Sequence, residues 1–150
     1  MGFAKRARRW LALDLGDKRT GIAVGDEESR IASPVDVIEL PMADGARGEA
    51  LLREIAKQAR EHAVDGIVIG LPLNMDDASE GPQAKKVRVY GGRVASMTGL
   101  EVRYQDERLT SAQADWKMSQ SGLTHKQKKS RRDALAAAGV LEEFLRALGE

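Results

Sequence analysis

The spacing of apolar residues changes along this chain, and that change limits the fold more than any other feature. Three short apolar runs come first, at residues 10–15, 20–25 and 31–40. The first two are separated by four residues that include Gly and Asp, which predicts a β-hairpin. The third run is expected to continue the hairpin as an antiparallel meander.

Helix-like and strand-like segments then alternate. Spacings of three and four predict helices over 49–63, 82–97 and 130–148, and apolar runs predict strands over 67–69 and 101–105. Thr110, with Gln113 three residues on, predicts a further helix that ends at Gly122. The expected fold class is α/β, with a mixed five-stranded sheet, in which a three-strand antiparallel meander adjoins parallel strands, and helices on both faces.

Composition excludes several classes of protein. The 150 residues, 42% apolar and 31% charged, predict one compact globular domain over 1–150, with residues 1–9 as a basic N-terminal extension. Cysteine is absent, which excludes disulfides and thiolate metal sites. No apolar run is long enough to cross a membrane, so we expect a cytoplasmic protein without a membrane partner.

Residues 125–132 form a dense basic cluster. Five of these eight residues are Lys or Arg and none is acidic: Lys126, Lys128, Lys129, Arg131 and Arg132. Such a cluster can neutralise the phosphates of a nucleic acid. A solvated helix start or loop is the alternative interpretation.

Three acidic residues stand where the predicted elements can bring them together. Asp14 interrupts an apolar strand, Glu107 follows the fifth strand, and Asp133 lies in the first turn of the last predicted helix. Functional groups gather beyond the carboxyl ends of strands in α/β sheets, and converging carboxylates favour a hard divalent cation. Taken singly, each acid has a simpler role: a turn former, a partner of Arg108 or Arg131, or a carboxylate favoured by the helix dipole.

Four segments carry a resemblance to a known family. They are residues 13–23 (LDLGDKRTGIA), 70–76 (GLPLNMD), 106–110 (DERLT) and 133–137 (DALAA). In this order they resemble the motifs of the YqgF-type nucleases. These Holliday junction resolvase-like proteins are also described as candidate pre-16S rRNA nucleases. The adjacent glycines at 91 and 92 depart from the pattern and put the stability of the second helix in doubt.

The resemblance implies a ribonuclease H-like fold and a nuclease that depends on Mg²⁺ or Mn²⁺. It implies that Asp14, Glu107 and Asp133 are the catalytic and metal-binding residues. It also implies a set of nucleic-acid contacts: Lys18, Arg19, Asn74, Arg108, Lys126, Lys128, Lys129, Arg131 and Arg132. The expected activity is 5′-end processing of precursor 16S rRNA during ribosome biogenesis, by a monomer or a weak homodimer.

Three other functions stay open at this point. Branched DNA offers the same phosphates as RNA, and a resolvase that cuts symmetrically needs a two-fold dimer. An inert nucleic-acid-binding module is the second alternative, which the presence of all three acids disfavours. The third takes residues 14–21 as the phosphate loop of a sugar kinase or actin-like ATPase, but those proteins hold nucleotide between two such domains.

Overall fold

The structure, a computed structural model, describes residues 6–108 and 125–149, with the backbone alone for residues 125–130. The helix expected from Thr110 to Gly122 lies outside the described residues. No helix in the described part is both long enough and apolar enough to span a membrane.

Five strands form one mixed sheet in the order β3-β2-β1-β4-β5. They are β1 (Arg9–Leu15), β2 (Thr20–Asp26), β3 (Ala32–Ile38), β4 (Gly66–Leu71) and β5 (Glu101–Asp106). The first three pair antiparallel, while β4 lies parallel to β1 and β5 parallel to β4. This confirms the predicted α/β class and the meander with added parallel strands.

In the part of the chain that the structure describes, three α-helices cover the sheet. They are α1 (Glu49–Glu61), which a 3₁₀ helix (Gly45–Gly48) precedes, α2 (Pro82–Thr98) and α3 (His125–Leu148). Side chains alternate along β1, so Leu11 and Leu13 belong to the core formed with α1 and α2, whereas Trp10 and Ala12 belong to the core formed with α3. Helices therefore lie on both faces of the sheet, as expected. The same alternation places Asp14 on the α3 face.

Helix α3 approaches the sheet closely because glycine lies beneath it. A Cβ added to Gly21 would lie 1.8 Å from the carbonyl oxygen of Asp133. That contact is with backbone, so no side-chain rotation could relieve it. The glycine in β2 therefore sets how near α3 can come to the sheet.

The start of α3 differs from the expectation. Ser130 was expected to open this helix, but residues from His125 onward are already helical, so that prediction is wrong. Lys and Gln are good helix formers and no breaker stands between 125 and 130, so the helix extends past the Ser. Asp133 consequently lies within α3, and the helix-dipole interpretation of its position does not hold.

The paired glycines of α2 have different surroundings. A Cβ on Gly91 would lie 2.2 Å from the hydroxyl oxygen of Tyr104, whereas a Cβ on Gly92 would meet nothing within 4 Å. Gly91 therefore lets α2 pack against β5. The doubt about this helix applies to Gly92 alone, which is exposed.

The described part of the basic N-terminal extension is attached to the fold. Arg6 makes an ion pair with Asp65, at 3.0 Å, and Arg8 pairs with Glu101 at 2.9 Å. Arg9 already belongs to β1. Arg6 and Arg8 make ion pairs within the protein, so they are not included among the expected nucleic-acid contacts.

Exchanging these glycines tests the close approach of α3. Gly21→Ala is expected to lower the free energy of unfolding by about 1–3 kcal/mol or more, because the new methyl group collides with backbone. Gly92→Ala, the matched control, is expected to raise it by about 0.5–1 kcal/mol, since Ala is the better helix former in open space. Urea denaturation measures both. Equal stability of the Gly21→Ala variant and the wild type would contradict the packing described.

Candidate active site

Asp14 lies between two glycines on the face of the sheet that α3 covers. Its cross-strand partner on β2 is Gly21. On β4, Ile69 pairs with Leu13, which places the next residue, Gly70, level with Asp14. Because neither neighbour carries a side chain, the backbone of α3 and the Glu107 side chain can lie directly on the sheet beside Asp14.

Glu107 approaches Asp14 from the end of β5. Its backbone N–H donates to the carbonyl oxygen of Leu71, at 3.3 Å, which holds the residue beside β4. A Cβ on Gly70 would lie 2.5 Å from Oε2 of Glu107. The Glu107 carboxylate thus occupies the space above Gly70, and it accepts a hydrogen bond from Asp14.

The two carboxyl groups are hydrogen-bonded to each other, and the pKa of each is raised. Burial raises the pKa of Asp14 well above its usual value, and the charges of Glu107 and Asp133 and the hydrogen bond to Glu107 raise it further, against the opposing charge of Arg132. Burial also raises the pKa of Glu107, although the hydrogen bond from Asp14 lowers it. Asp14 is therefore the protonated partner and Glu107 the acceptor.

Asp133 completes the acidic group but has a different partner. The close approach of α3 at Gly21 brings it near enough for its charge to act on Asp14. Its Oδ2 accepts a hydrogen bond from Nε of Arg19, at 3.0 Å. The structure thus brings Asp14 and Glu107 together, and holds Asp133 beside them in an ion pair.

A tight turn between β1 and β2 positions Arg19. The N–H of Gly16 donates to the carbonyl oxygen of Arg19 at 3.0 Å, and a Cβ on Gly16 would lie 2.7 Å from that oxygen. Asp17 in the same turn pairs with Lys86 of α2 at 2.5 Å, which contributes to the lowered pKa of Asp17. The turn is therefore tied to α2 on one side and, through Arg19, to α3 on the other.

Like Arg19, the expected nucleic-acid contacts Arg108 and Asn74 have protein partners. Arg108 donates to both carboxylate oxygens of Asp106, and this bond is the main reason that the pKa of Asp106 is lowered. Asn74 donates to Oγ of Ser79 at 2.8 Å, so it fixes the loop that follows β4. Both residues contribute to local structure, and their contacts with nucleic acid remain predictions.

The other expected contacts are cations on the surface. Lys18 is exposed in the hairpin turn, and Arg131 and Arg132 are exposed on α3 beside Asp133. The charge of Arg132 reaches the acidic group, because it lowers the pKa of Asp14. The side chains of Lys126, Lys128 and Lys129 lie outside the described residues, although their backbone is helical.

The acidic group has the oxygen atoms that a hard divalent cation prefers, but their present arrangement is less suited to holding one. Two partly buried carboxyl groups in contact offer oxygen ligands to a divalent ion, which would relieve their repulsion. Among the described side chains of residues 6–108 and 131–149, however, no three His, Asp or Glu lie close enough together to hold one. Asp133 is instead paired with Arg19.

Reasoning from the residues singled out the three acids but missed what positions them. Gly21 makes room for the backbone of α3 and Gly70 makes room for Glu107, yet both occur inside recognised motifs and were assigned no role. A glycine inside an apolar strand is a signal of close approach, and it could have identified both. The ion pair between Arg19 and Asp133 joins residues 114 apart in sequence, and no local pattern indicates it.

Comparison with known proteins agrees with this architecture. A family model described as "RuvX: Holliday junction resolvase" matches residues 8–147. A protein of Lactococcus lactis subsp. cremoris (strain MG1363), named "Putative pre-16S rRNA nuclease", is 39% identical over 137 residues, which cover 91% of this chain and 93% of the relative. A protein of the same name from Anaeromyxobacter sp. (strain Fw109-5) is also 39% identical, over 91% of this chain and 96% of its own.

Solved structures share the fold at low sequence identity. Thermus thermophilus RuvC in complex with a Holliday junction substrate superposes with a TM-score of 0.60 at 14% identity, over 95% of this chain and 96% of that one. The fowlpox virus Holliday junction resolvase gives 0.53 at 10% identity, over 93% and 99%. The fold is therefore ribonuclease H-like. The family model matches nearly the whole length of this chain, which shows that the chain belongs to the RuvX family.

Proposed function

We propose that this protein is a metal-dependent nuclease that hydrolyses phosphodiester bonds in structured nucleic acid. The observation that carries the proposal is the hydrogen-bonded pair of partly buried carboxyl groups, Asp14 and Glu107, at the carboxyl edge of the sheet. Functional groups gather at this edge in α/β folds. The family description and the names of the relatives support the same class of reaction.

Each part of the site has a role in this proposal. Asp14 and Glu107 would hold the divalent ion, for which we propose Mg²⁺ or Mn²⁺, after the proton of Asp14 has left. When bound, such an ion activates water and offsets the charge that develops on the phosphodiester. The exposed cations Lys18, Arg131 and Arg132 bind phosphates and place the backbone of the nucleic acid over the acidic group.

Precursor 16S rRNA is the proposed substrate, with processing of its 5′ end as the reaction. The names of the curated relatives support this choice. It also implies a cytoplasmic location, where bacterial ribosomes are assembled. Monomer or weak homodimer remains the prediction for the assembly.

Branched DNA is the second candidate substrate, and the family description favours it. The third candidate function, an inert binding module, does not explain why Asp14 lies partly buried beside a second carboxyl group. Desolvation of such a pair destabilises the fold, and a domain that only binds would gain nothing from it.

Neutralising Asp14 tests the proposed chemistry. Asp14→Asn is expected to reduce cleavage by several orders of magnitude while nucleic-acid binding stays largely intact, because the variant loses a metal ligand and no surface cation. The matched control is Glu61→Gln, an exposed carboxylate at the end of α1 on the opposite face of the sheet. Cleavage of a precursor 16S rRNA fragment and of a synthetic four-way junction is followed side by side with Mg²⁺ or Mn²⁺.

The outcomes separate the three functions. Cleavage of RNA alone supports rRNA processing, and cleavage of the junction alone supports the resolvase. Full metal-dependent activity in the Asp14→Asn variant would refute the assignment of the site. Binding without cleavage of either substrate by the wild type would favour the inert module.

The raised pKa values predict how stability depends on pH. In chelator, a carboxyl group whose folded pKa is raised binds more protons when folded, so its contribution to stability falls as pH rises above about 4. Asp14→Asn removes the proton that Asp14 binds and the repulsion. The variant is therefore expected to melt higher than the wild type near neutral pH, by a margin that shrinks on acidification.

Thermal melts of the two proteins across pH measure that margin. The difference isolates the carboxyl pair, because carboxyl groups elsewhere, including Asp17 and Asp106 with their lowered pKa values, are present in both proteins. Glu61→Gln serves again as control and should follow the wild type. A variant that melts lower at neutral pH would mean that Asp14 satisfies local donors instead.

The basic cluster on α3 predicts a salt dependence. Changing Lys126, Lys128 and Lys129 to Gln should weaken binding to all sequences alike. The slope of log K against log salt should become shallower by roughly 0.7–0.9 per lost phosphate contact. The control is the triple change to Gln of three exposed cations of α1 on the opposite face: Arg53, Lys57 and Arg60. An unchanged slope in the α3 variant would show that its lysines face solvent.

A further inference from the structure

Arg19 is placed between the acidic group and solvent. Its Nε contacts Oδ2 of Asp133 at 3.0 Å, and the two side chains are 39% and 27% exposed. The contact is therefore neither sealed in the core nor fully hydrated, and a ligand at the surface can reach it. Because the bond uses Nε, the two terminal nitrogens of the guanidinium can face a second anion.

The position of Arg19 is fixed by backbone on both sides. The turn bond between Gly16 and the Arg19 carbonyl oxygen fixes one end of the contact. The packing of the Asp133 carbonyl oxygen on Gly21 fixes the other. The pair can therefore change by rotation of the Arg19 side chain alone, without movement of a strand or helix.

The two possible partners of Arg19 compete. A guanidinium matches the geometry of a phosphate as well as that of a carboxylate, and it pairs with either through two parallel hydrogen bonds. Asp133 in turn lies close enough to Asp14 to act on it electrostatically, so a cation held by Asp14 and Glu107 would also attract Asp133. In the free protein, the Arg19 guanidinium, and not a metal ion, is the cation that pairs with Asp133.

We propose that Arg19 exchanges partners, pairing with Asp133 in the free protein and with a phosphate of bound nucleic acid, and thereby couples nucleic-acid binding to metal binding. This inference rests on the proposed metal-dependent nuclease. Nucleic acid releases Asp133 for the metal, and the metal releases Arg19 for the phosphate. By linkage, each ligand raises the affinity for the other by the same factor.

The first experiment measures nucleic-acid binding in chelator, with a short labelled RNA duplex with single-stranded tails as the probe. Arg19→Gln is expected to weaken binding. Asp133→Asn is expected to tighten it about two- to fivefold, the range for a partly exposed ion pair, because Arg19 is released. In the Arg19→Gln background, Asp133→Asn should produce no such gain. An equal gain with and without Arg19 would show a general effect of charge and overturn the proposal.

The second experiment measures Mn²⁺ binding without nucleic acid, by electron paramagnetic resonance of the free ion. Arg19→Gln is expected to tighten Mn²⁺ binding about two- to fivefold, but to have no effect in the Asp133→Asn background. Arg19→Lys, which keeps the charge but loses the planar guanidinium, should fall between wild type and Arg19→Gln. An increase of the same size in both backgrounds would again mean a general field effect and overturn the exchange.

Asp14→Asn distinguishes failure of this inference from failure of the proposed function. Loss of Mn²⁺ binding in Asp14→Asn, together with unchanged binding in Arg19→Gln, would leave the metal site standing and refute the exchange alone. Unchanged Mn²⁺ binding in Asp14→Asn would refute the metal site and, with it, the exchange. Finally, in the wild type, the RNA probe should tighten Mn²⁺ binding, and Arg19→Gln should abolish that effect.

Discussion

The contact of the α3 backbone with Gly21 is the constraint on which the site depends. Glycine at that position lets the Asp133 carbonyl oxygen rest directly on β2, where any side chain would collide with it. The same approach covers Gly70, whose absent side chain leaves room for Glu107. Without it, α3 would stand farther from the sheet, and the charge of Asp133 would act less strongly on Asp14.

This arrangement lowers the stability of the fold, but it supplies the acidic groups of the proposed active site. Burial of Asp14 beside Glu107 raises the pKa of both groups, and the fold tolerates the pair by leaving a proton between them. Sites of catalysis are where such shifted groups are found. The surrounding core is made of strands and helices with ordinary apolar packing, so the unfavourable electrostatics are confined to one edge of the sheet.

Ion pairs within the protein limit which of its many cationic side chains can bind a phosphate of the substrate. Arg6 and Arg8 bind acidic groups of the sheet edge and its loops, and Arg108 is held by Asp106. Arg19 is held as well, but by Asp133 of the acidic group itself, and this contact is the basis of the proposed exchange. A count of basic residues along the sequence therefore overstates the phosphate-binding surface.

Much of the fold could be predicted from the sequence. The period of apolar residues determined the five strands, the meander and the helices on both faces, since burial of one face imposes spacing on the chain. The motif residues also identified Asp14, Glu107 and Asp133 as candidates. The start of α3 was misjudged because a capping Ser is a local signal, and the good helix formers before it override that signal.

Only the tertiary structure decided how the candidates meet. The hydrogen bond between Asp14 and Glu107 follows from parallel pairing of β1 with β4 and of β4 with β5, which brings the end of β5 to the same edge of the sheet as the end of β1. The pairing of Asp133 with Arg19 follows from the crossing of α3 over β2. The sequence by itself determined which residue types stand at the edge of the sheet. Their distances, partners and protons depend on contacts between distant segments, and no local pattern encodes those.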